Sequence, residues 1–185
     1  MPHVIEPAAS ARAKCRGCGE KIAAGDLRFG ESLPNPFAEG ETHHWFHLEC
    51  GAIKRPEPFL EGLTAHAEPV SDSERLAELA KGGVEHPRLP RVSGAERDKS
   101  GRAQCRHCRE KIDKDAWRIA LVFWEEGRFS PAGFVHVPCA GGYFGTTDVV
   151  ARLRRFSPAL TEADLQEIQA ELLKPSPPPG TTGTE

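Results

Sequence analysis

The six cysteines fall into two matching sets, each completed by a histidine: Cys15, Cys18, His47 and Cys50, then Cys105, Cys108, His136 and Cys139. One tight turn can aim both sulfurs of a Cys-x2-Cys pair at a single metal ion, and a His-x2-Cys pair can close the shell from the opposite side. The segment between the pairs is 28 residues long in the first set and 27 in the second. Three thiolates and an imidazole make the closed tetrahedral shell of structural zinc, with no position left for a reactive water. The sequence therefore predicts two structural zinc ions. Because each set needs its own scaffold, it also predicts two small modules rather than one domain.

A disulfide framework is the competing use of an even number of cysteines. The repeat divides them three and three, which would leave an odd thiol in each half. The chain opens Met1-Pro2-His3-Val4-Ile5-Glu6, without the basic start and apolar run of a secretory signal. No stretch reaches the roughly 20 apolar residues that span a bilayer. These features predict a soluble protein of a reducing compartment, with no membrane partner.

Neither half of a 185-residue chain holding 16 prolines and 18 glycines can bury a large core, so metal binding should supply much of the folding free energy. The net charge of −3 is not that of a protein that coats nucleic acid indiscriminately. Basic residues nevertheless gather in the second repeat, where Glu96 to Ala140 hold nine Lys or Arg against seven Asp or Glu. That half reads as the stronger anion binder.

Along the chain, residues 1–10 read as a flexible leader, 11–83 as the first module, 84–98 as a Pro-containing linker, 99–174 as the second module and 175–185 as a disordered tail. Gly25-Asp26 is a turn between short strands, with Ile22 and Leu27 in the core and Ile112 and Trp117 in their places in the second copy. The loop from Glu31 to Thr42 should hold little regular structure. Ser71-Asp72-Ser73-Glu74 has the form of a capping box for a helix carrying Leu76, Leu79 and Ala80 and stopped by Gly82-Gly83. A helix is expected over Thr147–Arg155, and Thr161 to Asp164 should cap another bearing Leu165, Ile168 and Leu172. His43 and His44 lack the ligand spacing, and His107 lies too close to both sulfurs of its pair to join them. No phosphate loop, nucleophile elbow or acid/base carboxylate pair is present, so no enzyme is expected.

Gly101-Arg102-Ala103-Gln104-Cys105-Arg106-His107-Cys108, continued by Glu110-Lys111-Ile112 and Asp115-Ala116-Trp117-Arg118-Ile119, resembles the zinc finger at the amino terminus of poly(ADP-ribose) polymerases, also found in a eukaryotic DNA ligase. Ala11-Arg12-Ala13-Lys14-Cys15-Arg16-Gly17-Cys18 with Arg28, and His44-Trp45-Phe46-His47, is similar in the first module, as is Phe156-Ser157-Pro158 before the last helix. The resemblance implies two tandem fingers of small α+β fold, each a short antiparallel sheet with a long loop and following helices. It further implies recognition of DNA strand breaks, whether nicks, gaps or ends, without sequence readout. Carried across residue by residue, Arg12, Arg16 and Arg28, and Arg102, Arg106 and Arg118, would face phosphate, where guanidinium forks give affinity without base discrimination. Leu33 and Phe37 in the first loop, and Phe123, Trp124 and Phe129 in the second, would stack on the base pair exposed at a break. The second module departs in having Phe134-Val135 before its histidine and a shorter loop.

Nothing resembling the polymerase catalytic domain follows, so the expectation is a monomeric sensor that could recruit a repair enzyme. It would act at the nucleoid in a bacterium or in the nucleus of a eukaryote. A zinc-stabilised protein-interaction scaffold is the alternative.

Overall fold

The computed structural model describes residues 2–35 and 38–177. Phe37 lies outside them, as does the end of the expected tail. Contacts divide the chain into two units, the first running to Pro90 and including Trp124–Phe129, the second formed by the remainder. Each is a small α+β module built on a three-stranded antiparallel sheet.

In the first unit, β1 (Val4–Pro7) pairs with β2 (Leu27–Pro34), which pairs with β3 (Glu41–His47). Helices α1 (Leu48–Lys54), α2 (Pro56–Ala65) and α3 (Ser73–Glu85) follow. Phe29 on β2 is the hub, fully buried with its ring centroid 6.0 Å from Phe46 and 5.4 Å from Phe59. Helix α1 approaches so closely that a Cβ on Gly51 would lie 2.7 Å from the Phe29 ring, so only glycine fits there. Pro56 opens α2 at a position where its missing N–H costs nothing.

The second sheet repeats the plan with β4 (Val92–Arg97), β5 (Trp117–Glu125) and β6 (Arg128–His136); the tip of its hairpin, Trp124–Phe129, is counted with the first unit. Helices α4 (Ala140–Phe144), α5 (Val150–Phe156) and α6 (Glu162–Leu172) follow. Glu126 and Gly127, at φ 48° and 79°, make the two-residue hairpin turn whose twist suits the flanking strands. The expected capping box on α6 is present: the Thr161 hydroxyl accepts from the Asp164 N–H, and the Asp164 carboxylate accepts from the Thr161 N–H. Leu165, Ile168 and Leu172 are buried beneath it.

Several expectations are corrected. The stretch taken for a flexible leader contains β1, whose Ile5 is buried opposite Phe29. The segment taken for a linker holds the end of α3, a short 3-10 turn (Leu89–Arg91) and β4, with Leu89 and Val92 buried. In both cases hydrogen bonds to a distant strand order a segment too short to show periodicity of its own. The two ends of the expected loop from Glu31 to Thr42 are strand, because β2 and β3 remain paired as far as Pro34 and Glu41. Asp72, not Ser71, is the N-cap of α3; it sits at φ 57° and makes no side-chain capping bond. That helix runs through Gly82-Gly83, where Gly83 lets it pass close to Pro56. Leu27 is half-buried rather than core. In the expected tail, the Ser176 hydroxyl donates to the Pro138 carbonyl at 2.8 Å. Among the described residues no helix is long and apolar enough to cross a membrane.

Candidate metal centres and nucleic-acid interface

Both ligand sets are assembled as the spacing predicts. The donor atoms of Cys15, Cys18, His47 and Cys50 lie within 4.8 Å of one another, as do those of Cys105, Cys108, His136 and Cys139. Tetrahedral zinc with ordinary bond lengths would set sulfur and nitrogen roughly 3.6 Å apart. The observed separations are 3.4 Å from Cys18 Sγ to His47 Nδ1, and 3.3 and 3.8 Å from Cys108 and Cys139 Sγ to His136 Nδ1. The donors thus fit two zinc ions, with Nδ1 as the imidazole ligand.

The local backbone explains the convergence. In each Cys-x2-Cys knuckle the first cysteine donates its N–H five residues on, to Glu20 or Glu110, and its carbonyl accepts from Gly19 or Arg109, both in the left-handed region. Each ligating histidine ends a strand and is the residue preceding the next helical turn, with φ, ψ of −58°, 150° for His47 and −58°, 147° for His136. Its own N–H donates to a thiolate position, Cys15 Sγ or Cys105 Sγ, at 3.3 Å. With Nδ1 committed to metal, His136 Nε2 carries the proton and donates to the Lys111 carbonyl at 3.1 Å, fixing the ring. A hydrogen bond from the Cys50 thiol draws Cys18 down to about 4 and Cys15 down to about 6, whereas burial pushes Cys108 and Cys139 up. Zinc coordination deprotonates all of them.

The predicted phosphate-facing arginines differ in setting. Arg12 and Arg16 are exposed and, with Lys14, His43 and Trp45, line a groove of about 530 Å³ beside the first metal centre. Arg102 and Arg106 are exposed in the second module, where Arg106 Nε donates to the Ala132 carbonyl at 3.1 Å. Arg28 is mostly buried: its guanidinium lies 3.5 Å above the Trp45 ring, and one nitrogen donates to Glu6 at 2.6 Å. Arg118 lies 3.6 Å above the Phe134 ring and is ion-paired with both Glu96 and Asp98. The N–H groups of Gly101 and Ser100, and then Arg118, hold the Asp98 carboxyl below the usual carboxylate range.

Of the predicted stacking side chains, Phe123 is exposed, with the Arg91 guanidinium 4.4 Å over its ring. Leu33 is half-buried on β2 opposite Thr42. Trp124 and Phe129 are half-buried within the first unit, 4.6 Å apart by centroid, with Trp124 6.0 Å from Phe46 and the Arg55 guanidinium 4.6 Å above it. His107 is exposed. Sequence reasoning missed the carboxylates Glu6, Glu96 and Asp98, the aromatic floors Trp45 and Phe134, and the buried pair of Glu31 with Arg55. Only the register of the repeat, which sets Glu6 and Glu96 at matching positions, carried a signal for any of them.

Residues 6–81 match the family model described as the poly(ADP-ribose) polymerase and DNA-ligase Zn-finger region. A poly [ADP-ribose] polymerase of Sarcophaga peregrina is 32% identical over 143 residues, covering 68% of this chain and 14% of that protein. The Drosophila melanogaster enzyme is 27% identical over 140 residues, with the same two shares. Poly [ADP-ribose] polymerase 1 of Gallus gallus is 30% identical over 143 residues, 64% of this chain and 13% of that protein. The chain thus spans about 14% of the length of these curated relatives.

Proposed function

Because this chain belongs to the poly(ADP-ribose) polymerase-type zinc-finger family, we propose that it binds DNA at strand breaks, independently of sequence, and acts as a binding module rather than an enzyme. The observation that carries this reading is the groove of Arg12, Lys14 and Arg16 beside Trp45, three exposed cations next to an aromatic ring on a metal-braced surface. Arg102 and Arg106 offer exposed guanidiniums at the corresponding places in the second module. Guanidinium forks match phosphate oxygens and read no bases, so they supply affinity for any sequence.

Discrimination of a break from continuous duplex needs a second contact, because phosphates are present in both. A base pair at a nick or end presents an apolar face that stacking hides elsewhere. Phe123, exposed where Trp124 and Phe129 are half-buried, is the proposed platform in the second module, and Leu33 and Phe37 are those of the first. Stacking of this kind is worth about 1 to 3 kcal/mol per base, a preference of roughly fivefold to over a hundredfold. The local concentration of cations, not the net charge of −3, governs the contact.

Fluorescence anisotropy with labelled nicked, gapped, blunt-ended and intact duplexes tests the reading. Preference for the discontinuous duplexes is expected, with Arg16→Ala weakening all of them and Phe123→Ala eroding the preference. Equal affinity for nicked and intact DNA refutes break recognition. Absence of binding at low salt refutes the DNA reading in favour of a protein-interaction scaffold.

A further inference from the structure

Arg28 and Arg118 occupy the same place in the two sheets. Each stands opposite a glutamate on the edge strand, Glu6↔Arg28 in one and Glu96↔Arg118 in the other. Each guanidinium rests on an aromatic face, at 3.5 Å from Trp45 and 3.6 Å from Phe134. The residue two beyond the glutamate is also held alike. Ala8 donates its N–H to Asp26 at 2.9 Å and accepts from Gly25; Asp98 donates to Ala116 at 2.9 Å and accepts from Asp115. The backbones therefore correspond, and the side chain is what differs.

That difference changes the arginine. In the second module, Nε and Nη2 of Arg118 both donate to Glu96, and Nη1 donates to Asp98, whose carboxylate is fully buried. Asp98 is itself fixed, its other oxygen accepting from the amides of Ser100 and Gly101 at 2.7 and 2.6 Å. Both ends of the fork are filled, one face is covered, and two carboxylates offset one positive charge. In the first module Ala8 offers no carboxylate, Glu6 engages a single terminal nitrogen, and Arg28 Nε is buried with no hydrogen-bond partner among the described residues. With one carboxylate against it rather than two, Arg28 keeps more of its charge for a phosphate oxygen.

We propose that Asp98 silences Arg118 as a phosphate ligand, so that the two modules are unequal DNA-binding units and Arg28 alone contributes from this position. The inference rests on the DNA-binding reading above. Asp98 is then a determinant of how the chain distributes its grip, acting through Arg118 rather than on DNA.

The test is the salt dependence of binding to a nicked duplex, measured by anisotropy on the zinc-loaded full chain between 50 and 200 mM salt. One phosphate contact contributes about 0.9 to the slope of log affinity against log salt, or about a threefold change in affinity loss across that range. Arg28→Ala should flatten the slope by about that amount, and Arg118→Ala should leave it at the wild-type value. Asp98→Asn keeps an oxygen for the two amides while removing the charge that holds Arg118, and it should steepen the slope by about 0.9. A slope flattened by Arg118→Ala, or unmoved by Asp98→Asn, overturns the inference. Since Arg118→Ala strands a buried carboxylate and can unfold the module, Asp98→Asn decides the matter if it does. Failure of the wild-type chain to bind at 50 mM salt would instead overturn the DNA-binding reading, and this inference with it.

Discussion

Replacing Arg55 by alanine should destabilise the first unit more than removal of any exposed charge. Glu31, 1% exposed on β2, receives Arg55 Nε at 2.9 and 2.7 Å and Nη2 at 2.5 Å, a two-pronged pair joining the sheet to the start of α2. Deleting one partner of a buried pair leaves an uncompensated charge and costs about 3 to 5 kcal/mol, whereas replacing both by apolar groups is often neutral or stabilising. Against a total stability of about 5 to 15 kcal/mol, the single substitution consumes a large fraction. The assay is urea unfolding in a fixed excess of zinc, followed by tryptophan fluorescence and circular dichroism, with the denaturant slope checked for constancy. Arg55→Ala should lower the midpoint steeply, and Arg55→Met with Glu31→Leu should recover most of the loss. A single variant within about 1 kcal/mol of wild type, or a double variant worse than the single, refutes the reasoning.

Three further outcomes are expected. Chelation of zinc should abolish the cooperative unfolding transition of both modules, since metal binding and folding are one equilibrium in domains this small; native circular dichroism after complete metal removal would contradict that. Thr161→Ala removes the acceptor that caps α6 and should cost about 1 kcal/mol in the second module, read as a shift in its unfolding midpoint. Burial first, and the charge of Arg16 second, hold His44 below the ordinary histidine value of 6.5. The unfolded chain then takes up a proton below pH 6.5 that the folded chain refuses, so stability falls as pH drops from there. His44→Asn should lessen that decline between pH 7 and 5.5, and parallel curves for the two proteins would count against it.

The metal centres were legible in the sequence because ligand chemistry imposes spacing, and spacing survives any uncertainty about strands. Helix α6 was legible for a similar reason: Thr161 and Asp164 act locally, three residues apart. The edge strands β1 and β4 were not, since Val4-Ile5-Glu6 and Val92-Ser93-Gly94 become strands only by pairing with residues more than twenty positions away. Helices α1 and α2 were hidden by the absence of a side-chain cap at His47 or Arg55. Among the charges, Arg118 and Asp98 look like two more members of a solvated surface until the sheet brings them together. The register of the repeat was the available clue, because an aspartate in one copy stands where the other has alanine.

Each histidine ligand marks the point where strand gives way to helix, with one cysteine of its set a turn further along. The ion is therefore a rivet through the joint between the two kinds of secondary structure. A metal preferring a square-planar shell, such as divalent copper or nickel, could satisfy its own geometry only by prying the helix off the sheet.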